Sequence, residues 1–208
     1  MNDIGQIEKK TQQRIIALFQ GVLGYAYLGN WIDQEGNRNI QVNALTSFLK
    51  RQGYEPALIQ AAIHKLITVA GDLSMGLFQA NKAVYGLLRY GVKVKAGIGE
   101  HYENVWLVDW EHPLQNDFGI AEEVTIQAAN QKAYDKRPDL VLYVNGIALG
   151  VIELKRSTVS VGEGIRQNLD NQKKEFIEPF FTTLQYVMAG NDTEGLRYGT
   201  IQTPEKYY

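Results

Sequence analysis

Arg137-Pro138-Asp139-Leu140-Val141-Leu142-Tyr143-Val144-Asn145-Gly146-Ile147-Ala148-Leu149-Gly150-Val151-Ile152-Glu153-Leu154-Lys155 consists of two short apolar runs joined by Asn-Gly. Asn-Gly between such runs is a strong short-range signal for a β-hairpin. Both runs are apolar on both faces, so each strand is expected to be covered above and below. Against that background three charges stand out, Asp139 near the start of the first run and Glu153 and Lys155 near the end of the second. An ionic side chain in such a setting is costly unless it is paired or bound to a metal.

The turn decides whether the three charges meet. Glu153 and Lys155 are two residues apart and share one face of their strand. A two-residue loop pairs Tyr143 with Ala148, sets Asp139 opposite Ile152 and points it away from Glu153. A three-residue loop, Val144 to Gly146 with Gly146 left-handed in a bulge, pairs Tyr143 with Ile147 and sets Asp139 opposite Val151. Asp139, Glu153 and Lys155 then face one way. The expectation is therefore the odd-length loop or an equivalent bulge. Two carboxylates brought together in this way favour a hard divalent cation with oxygen ligands, Mg²⁺ above all with Mn²⁺ as its substitute, helped by the Leu154 carbonyl. A cation there lowers the pKa of a bound water and stabilises charge on a phosphoryl oxygen, while Lys155 orients that water or offsets the anionic transition state. The chemistry suggested is hydrolysis of a phosphodiester. The plainer reading of the same residues is an Asp–Lys or Glu–Lys ion pair at a sheet edge.

Arg137-Pro138-Asp139 followed by Glu153-x-Lys155 is similar to the PD-(D/E)xK nuclease motif. The wider series adds Trp106-Leu107-Val108-Asp109-Trp110, Asn116-Asp117-Phe118 and Val144-Asn145-Gly146 before Val151-Ile152-Glu153-Leu154-Lys155. As a whole it resembles the N-terminal nuclease domain of the motor-and-cleavage (R) subunit of Type I restriction enzymes. The similarity runs from near Thr11 through Ala189-Gly190-Asn191-Asp192 to the C-terminus. The resemblance implies a restriction-endonuclease-like α/β core that cuts double-stranded DNA, with Mg²⁺ at Asp139 and Glu153 and Lys155 as the catalytic lysine. It implies methyltransferase and specificity subunits as partners, and an ATP-driven translocase elsewhere in a longer polypeptide. No GxxxxGK[ST] occurs in this sequence, so ATP would enter only through domains outside it, and the chain reads as a fragment. Two more positions come from the resemblance. In the family a helix before the core sheet often supplies an acidic residue to the metal site, and Glu8 is the matching position. A glutamine-x-x-x-tyrosine element commonly follows the motif; here Gln167 matches the glutamine, but Asn171 stands where the tyrosine would be. The reading from a different class is a non-catalytic DNA-binding or subunit-docking module that keeps the fold.

Global composition sets bounds. With 208 residues and 45% hydrophobic content, the chain can bury one sizeable core, read here as a single nuclease domain with a helical subregion over about 40–91. A net charge of −2 supplies no general basic field for nucleic acid, so any DNA contact must come from a local patch or from partner chains. There is no cysteine, which excludes disulfides and thiolate metal sites. No signal peptide or membrane-length apolar run is present, so a cytoplasmic location without membrane contact is expected.

The remaining elements come from periodicity. Residues 3–23 read as a helix, with Asp3 and Gln6 resembling a capping box and Ile7, Ile15, Leu18, Phe19 and Val22 at helical spacing. Glu8 near its start has an alternative role as a first-turn acid favoured by the helix dipole. Residues 24–39, rich in Gly, Asn and aromatics, read as a loop. Helices are expected at 42–51, 56–70 and 77–90. Val92-Lys93-Val94-Lys95 alternates as a strand with one basic face that either meets phosphate or protects a sheet edge. Strands are expected next at 105–110 and 124–128. His64, His101 and His112 lack partners at metal or triad spacing. After Lys155 a helix is expected over 163–177, placing Gln167 and Arg166 towards Lys155, and a strand over 185–189 completes the sheet. Arg156, Arg166, Lys173 and Lys174 are candidate phosphate contacts, with a solvated basic helix face as the alternative.

Overall fold

The computed structural model describes residues 3–128 and 135–208, with side chains described from Glu8 onward. The Asp3–Gln6 capping pair and Ile7 therefore lie outside the described side chains. Among the described residues, α1 (Asp3–Gly21) and β1 (Ala26–Asn30) precede three consecutive helices, α2 (Val42–Arg51), α3 (Pro56–Gly71) and α4 (Leu77–Tyr90). A short ribbon comes next, β2 (Val92–Val94) and β3 (Glu103–Val105), and then β4 (Phe118–Glu122), β5 (Leu140–Val144) and β6 (Ile147–Leu154). The chain closes with α5 (Val161–Asn171), β7 (Tyr186–Asn191) and β8 (Gly195–Gly199). One six-stranded sheet has the order β1-β4-β5-β6-β7-β8; β1 is parallel to β4, β6 is parallel to β7, and the other neighbours are antiparallel. This mixed α/β architecture is that of a restriction-endonuclease-like core. None of the described helices is long and apolar enough to cross a membrane.

The hairpin of β5 and β6 lies at the centre, and its register differs in detail from the expectation. Asn145 and Gly146 both have positive φ, 53° and 82°, as a two-residue turn of mirror-image type requires. The loop is thus two residues and not three, with Val144 opposite Ile147 and Tyr143 opposite Ala148. Leu142 then pairs with Gly150, which leaves Leu149 as the extra residue of a β-bulge. Past the bulge Leu140 faces Ile152, so the next step outward sets Asp139 opposite Glu153 and not Val151. Ala148 and Val151, three residues apart, consequently belong to the same apolar cluster, with Val141, Tyr143, Trp31 and Phe181. Leu140, Leu142, Ile152 and Leu154 line the other face against Ile15, Ile16 and Phe19 of α1. Both faces are covered, which explains the unbroken apolar runs.

The helices expected at 42–51, 56–70 and 77–90 form as α2, α3 and α4. Leu45, Phe48 and Leu49 of α2 pack with Leu58, Ile63 and Leu66 of α3, with Val84 and Leu88 of α4, and with Val92, Val94 and Val105 of the ribbon; Ile147 joins them to the sheet. The turn end of the hairpin is fixed by Asn145, which is fully buried. Its amide Nδ2 donates to Leu107 O (2.9 Å) and Asn116 Oδ1 (2.8 Å), and its Oδ1 accepts from Asp117 N (2.7 Å).

Several expected boundaries move. The strand placed at 105–110 ends at Val105, because Asn116 hydrogen-bonds both the amide and the carbonyl of Asp109, while Asp109 accepts from Glu111 N and His112 N. Such side-chain bonds to backbone compete with strand pairing. No strand forms over 124–128: β4 lies earlier and ends at Glu122, the backbone kinks at Glu123 (φ 51°), and beyond it Val124 and Ile126 bond to Pro138 and Lys136, the latter as an isolated bridge. Within the region read as a loop, β1 forms the sheet edge through parallel pairing with β4. The helix placed at 163–177 stops at Asn171, and the chain turns so that Ile177, Phe180 and Phe181 reach the core.

Gly146 is where shape is least negotiable. A Cβ there would lie 2.7 Å from Ala44 Cβ and 2.8 Å from Gln41 O, on a backbone already in the left-handed region. Gly146→Ala is expected to lower unfolding stability by about 2–4 kcal/mol, read from urea denaturation; a loss below about 0.5 kcal/mol would show that the corner is not tightly packed.

Candidate active site

The register places Asp139 and Glu153 side by side at one end of the sheet, and α5 closes over them. Ser160 caps that helix through its hydroxyl, and Glu194 Oε1 accepts the Val161 amide at 2.9 Å. Close approach is possible because Gly164 faces the strand; a Cβ there would sit 3.0 Å from Ala189 Cβ and 3.6 Å from Glu153 Cγ. Gln167, one turn further along, then reaches Lys155, whose ammonium donates to Gln167 Oε1 at 2.8 Å and to Glu153 Oε1 at 3.0 Å. Asp139 Oδ2 accepts the Leu154 amide at 2.6 Å. Leu154 thus touches this acid through its amide.

Acceptors exceed donors here. Glu153 is 1% exposed, and its Oε2 is buried without a hydrogen-bond partner. Burial pushes Glu153 up to about 8, and Asp139 opposite pushes the same way; the Lys155 ammonium opposes both without cancelling them. Asp139 is raised to about 6, chiefly by burial, with the Leu154 amide and Lys155 pulling it down. The charge of Glu8 adds to the rise at both acids, so α1 does bring Glu8 to the site. A cleft of about 470 Å³ is lined by these four groups together with Gln167 and, on its far wall, Thr125, Asp135, Lys136 and Arg137. Among the described residues, no three His, Cys, Asp or Glu side chains form a ready-made metal cluster. The donor set is two carboxylates plus backbone, with Glu8 along the wall. An unpaired buried carboxylate oxygen beside a second, half-buried acid fits a hard cation, since a cation would satisfy the orphaned acceptor and relieve the repulsion.

The predicted site residues divide clearly. Asp139, Glu153, Lys155 and Gln167 converge, and Glu8 lines their cleft. Asn171 is buried and its Oδ1 has no partner. Arg156 is half-buried just beyond Lys155. Arg166, expected to point towards Lys155, instead pairs with Glu163 (2.6 Å) and Glu205 (2.5 Å), and Lys173 pairs with Asp170 (2.6 Å). Lys174 is exposed. Sequence reasoning missed Lys136, Arg137 and Thr125 as cleft residues. Arg137 bonds Glu123 at 2.8 Å across the rim, a pairing made by the kink in β4 that no periodicity announces. Asp117 lies apart, paired with Arg51 at 2.7 Å.

Comparison with known proteins agrees with this geometry. Residues 5–206 match the family described as Type I restriction enzyme R protein N terminus. The Type I restriction enzyme HindI endonuclease subunit of Haemophilus influenzae is 33% identical over 131 residues, covering 60% of this chain and 12% of that protein. A Methanocaldococcus jannaschii protein, provisionally named as the type I restriction enzyme MjaIXP endonuclease subunit, is 32% identical over 76 residues, covering 36% of this chain and 7% of its own length. The matched stretch is therefore a small part of each relative. On the match over 5–206, the chain belongs to the family of Type I restriction enzyme R protein N-termini.

Proposed function

We propose that this chain is the Mg²⁺-dependent endonuclease domain of a Type I restriction enzyme R subunit, hydrolysing phosphodiesters of double-stranded DNA. The observation that carries the reading is the bulged register, which sets Asp139 opposite Glu153 in one cleft with Lys155 held between Glu153 and Gln167. Asp139 and Glu153 would hold the cation, with Leu154 supplying its carbonyl and Glu8 a further acid from α1. The bound cation supplies a water of lowered pKa and neutralises charge on the phosphoryl group. Lys155 presents an ammonium beside that position; it orients the attacking water and offsets charge as the phosphorus–oxygen bond to the leaving group breaks. Gln167 keeps the lysine side chain from swinging out of the cleft. On the DNA side, Arg156 and Lys174 remain available for phosphate, whereas Arg166 and Lys173 would first have to leave their ion pairs. Translocation driven by ATP, and assembly with methyltransferase and specificity subunits, would belong to parts of the system outside these 208 residues.

In the assembled enzyme, Asp139→Ala, Glu153→Gln and Lys155→Ala should each lower DNA cleavage by about a thousandfold, with ATP-driven translocation retained. Translocation lost with cleavage intact would contradict the assignment. A second consequence concerns pH. Both acids have folded-state pKa values above their ordinary 3.8 and 4.5, so their neutral forms favour the fold. Without a divalent cation, stability should therefore fall as pH rises from about 4 through about 8. Glu153→Gln should flatten that decline and raise the melting temperature at pH 8 by about 2–4 °C for each kcal/mol relieved. Melting curves that do not depend on pH in the wild type would show that the acids are not buried together.

A further inference from the structure

The β2–β3 ribbon stands outside the main sheet and packs through Val92, Val94 and Val105 on the helical subregion. Its other face is basic and aromatic. Lys93 and Lys95 alternate with the buried valines and are exposed, and both ammonium groups lie over the Tyr102 ring, 5.8 and 4.6 Å from its centroid. At the end of α4, which leads into β2, Arg89 lies 5.6 Å from the Trp110 ring and 6.0 Å from that of Tyr90, in a pocket that Asp109 and Glu111 also line. Lys65 of α3 joins the group by donating to the Lys93 carbonyl at 3.0 Å. Among the described residues none of these four cations enters an ion pair, in contrast to Arg51, Arg137, Arg166 and Lys173. Glu103 faces the other way, because it is paired in register with Val94.

This cluster is separate from the carboxylate cleft. The chain leaves β3 into Leu107, whose carbonyl binds Asn145 at the turn of the central hairpin, whereas Asp139 and Glu153 lie at its opposite end. Six residues of strand amount to roughly 20 Å. In a protein of net charge −2, the three neighbouring lysines Lys65, Lys93 and Lys95, none of them in an ion pair among the described residues, form a local positive field. Their partner should be a regularly spaced polyanion. The rings hold the ammonium and guanidinium groups without neutralising them.

We propose that the outward face of the β2–β3 ribbon, with Lys93, Lys95, Tyr102 and the adjoining Lys65, binds the phosphate backbone of duplex DNA at a distance from the cutting site. The inference rests on the reading that the chain acts on DNA, but it assigns contact to a surface that reading does not use. In such a contact the ammonium groups replace counterions along one strand, so affinity depends on salt and not on sequence.

The test is fluorescence anisotropy of a labelled 30-base-pair duplex with the 208-residue chain, in EDTA so that neither metal nor cleavage enters. The double variant Lys93→Ala/Lys95→Ala should weaken binding about tenfold and reduce the slope of log K against log salt by about 2, since each neutralised phosphate contributes about 0.9 to that slope. Lys93→Arg/Lys95→Arg should retain binding. An unchanged melting temperature checks that the exposed substitutions leave the fold intact. Equal affinity in the wild type and the alanine variant, or no duplex binding by the wild type, overturns the proposal. Tighter binding of a single strand of the same length also overturns it, in favour of base stacking on Tyr102 and Trp110. Because cleavage is not measured, a chain that cuts DNA can still fail this test, and a chain with an inactive cleft can pass it.

Discussion

A single bulge residue, Leu149, unpaired in the β5–β6 ladder, decides which side chains meet at the carboxylate cleft. Side chains alternate along a strand, so a regular two-residue hairpin would send Asp139 and Glu153 to opposite faces of the sheet. The bulge at Leu149 inserts one residue into β6, and every side chain beyond it changes face. Val151 joins Ala148 in the core, Glu153 comes opposite Asp139, and Lys155 lies beyond Glu153 on the same side. The turn itself cannot drift, because Asn145 is bonded to Leu107, Asn116 and Asp117, and Gly146 is wedged against the start of α2. Register is thus fixed at one end of the hairpin and used at the other.

This register carries an electrostatic cost. Glu153, buried, and Asp139, half-buried, share one cleft, and the half-buried lysine offsets only part of their repulsion. The unpartnered oxygen of Glu153 is the visible residue of that imbalance. Polar groups left in this condition are uncommon, since a buried acceptor without a donor is destabilising. On the proposed reading, a cation bound between the two acids would satisfy the unpartnered oxygen and relieve their repulsion, so the feature that weakens the cation-free fold would favour its binding. The basic ribbon lies at the other end of the hairpin.

Much of this architecture was legible in the sequence. The Asn145-Gly146 turn, the covered strands and the three helices over 42–90 are set by local pattern, and the structure has them. The need for a bulge was also readable, because Asp139, Glu153 and Lys155 cannot otherwise meet. Its position was not: the three-residue loop and the Leu149 bulge both solve the facing problem, and only packing of Tyr143 and Ala148 beside Trp31 and Phe181 selects between them. Strand β1 escaped notice because Gly- and Asn-rich composition hides a distant partner, with Ala26 paired to Gly119. At the cleft, Lys155 and Gln167 were legible as a pair. The rim made by Arg137 and Glu123 was not, since it depends on a left-handed residue at the end of β4. The ion pairs that occupy Arg166 and Lys173 likewise depend on how α5 meets the C-terminal residues, as the bond from Arg166 to Glu205 illustrates.

The most direct measurement is anomalous diffraction from crystals of the wild-type chain soaked in Mn²⁺, with Glu153→Gln crystals treated identically. A peak bounded by the carboxylates of Asp139 and Glu153, and absent in the variant, is the predicted result. Carboxylates pointing to opposite sides of the sheet, or manganese bound elsewhere while this cleft stays empty, would contradict the account.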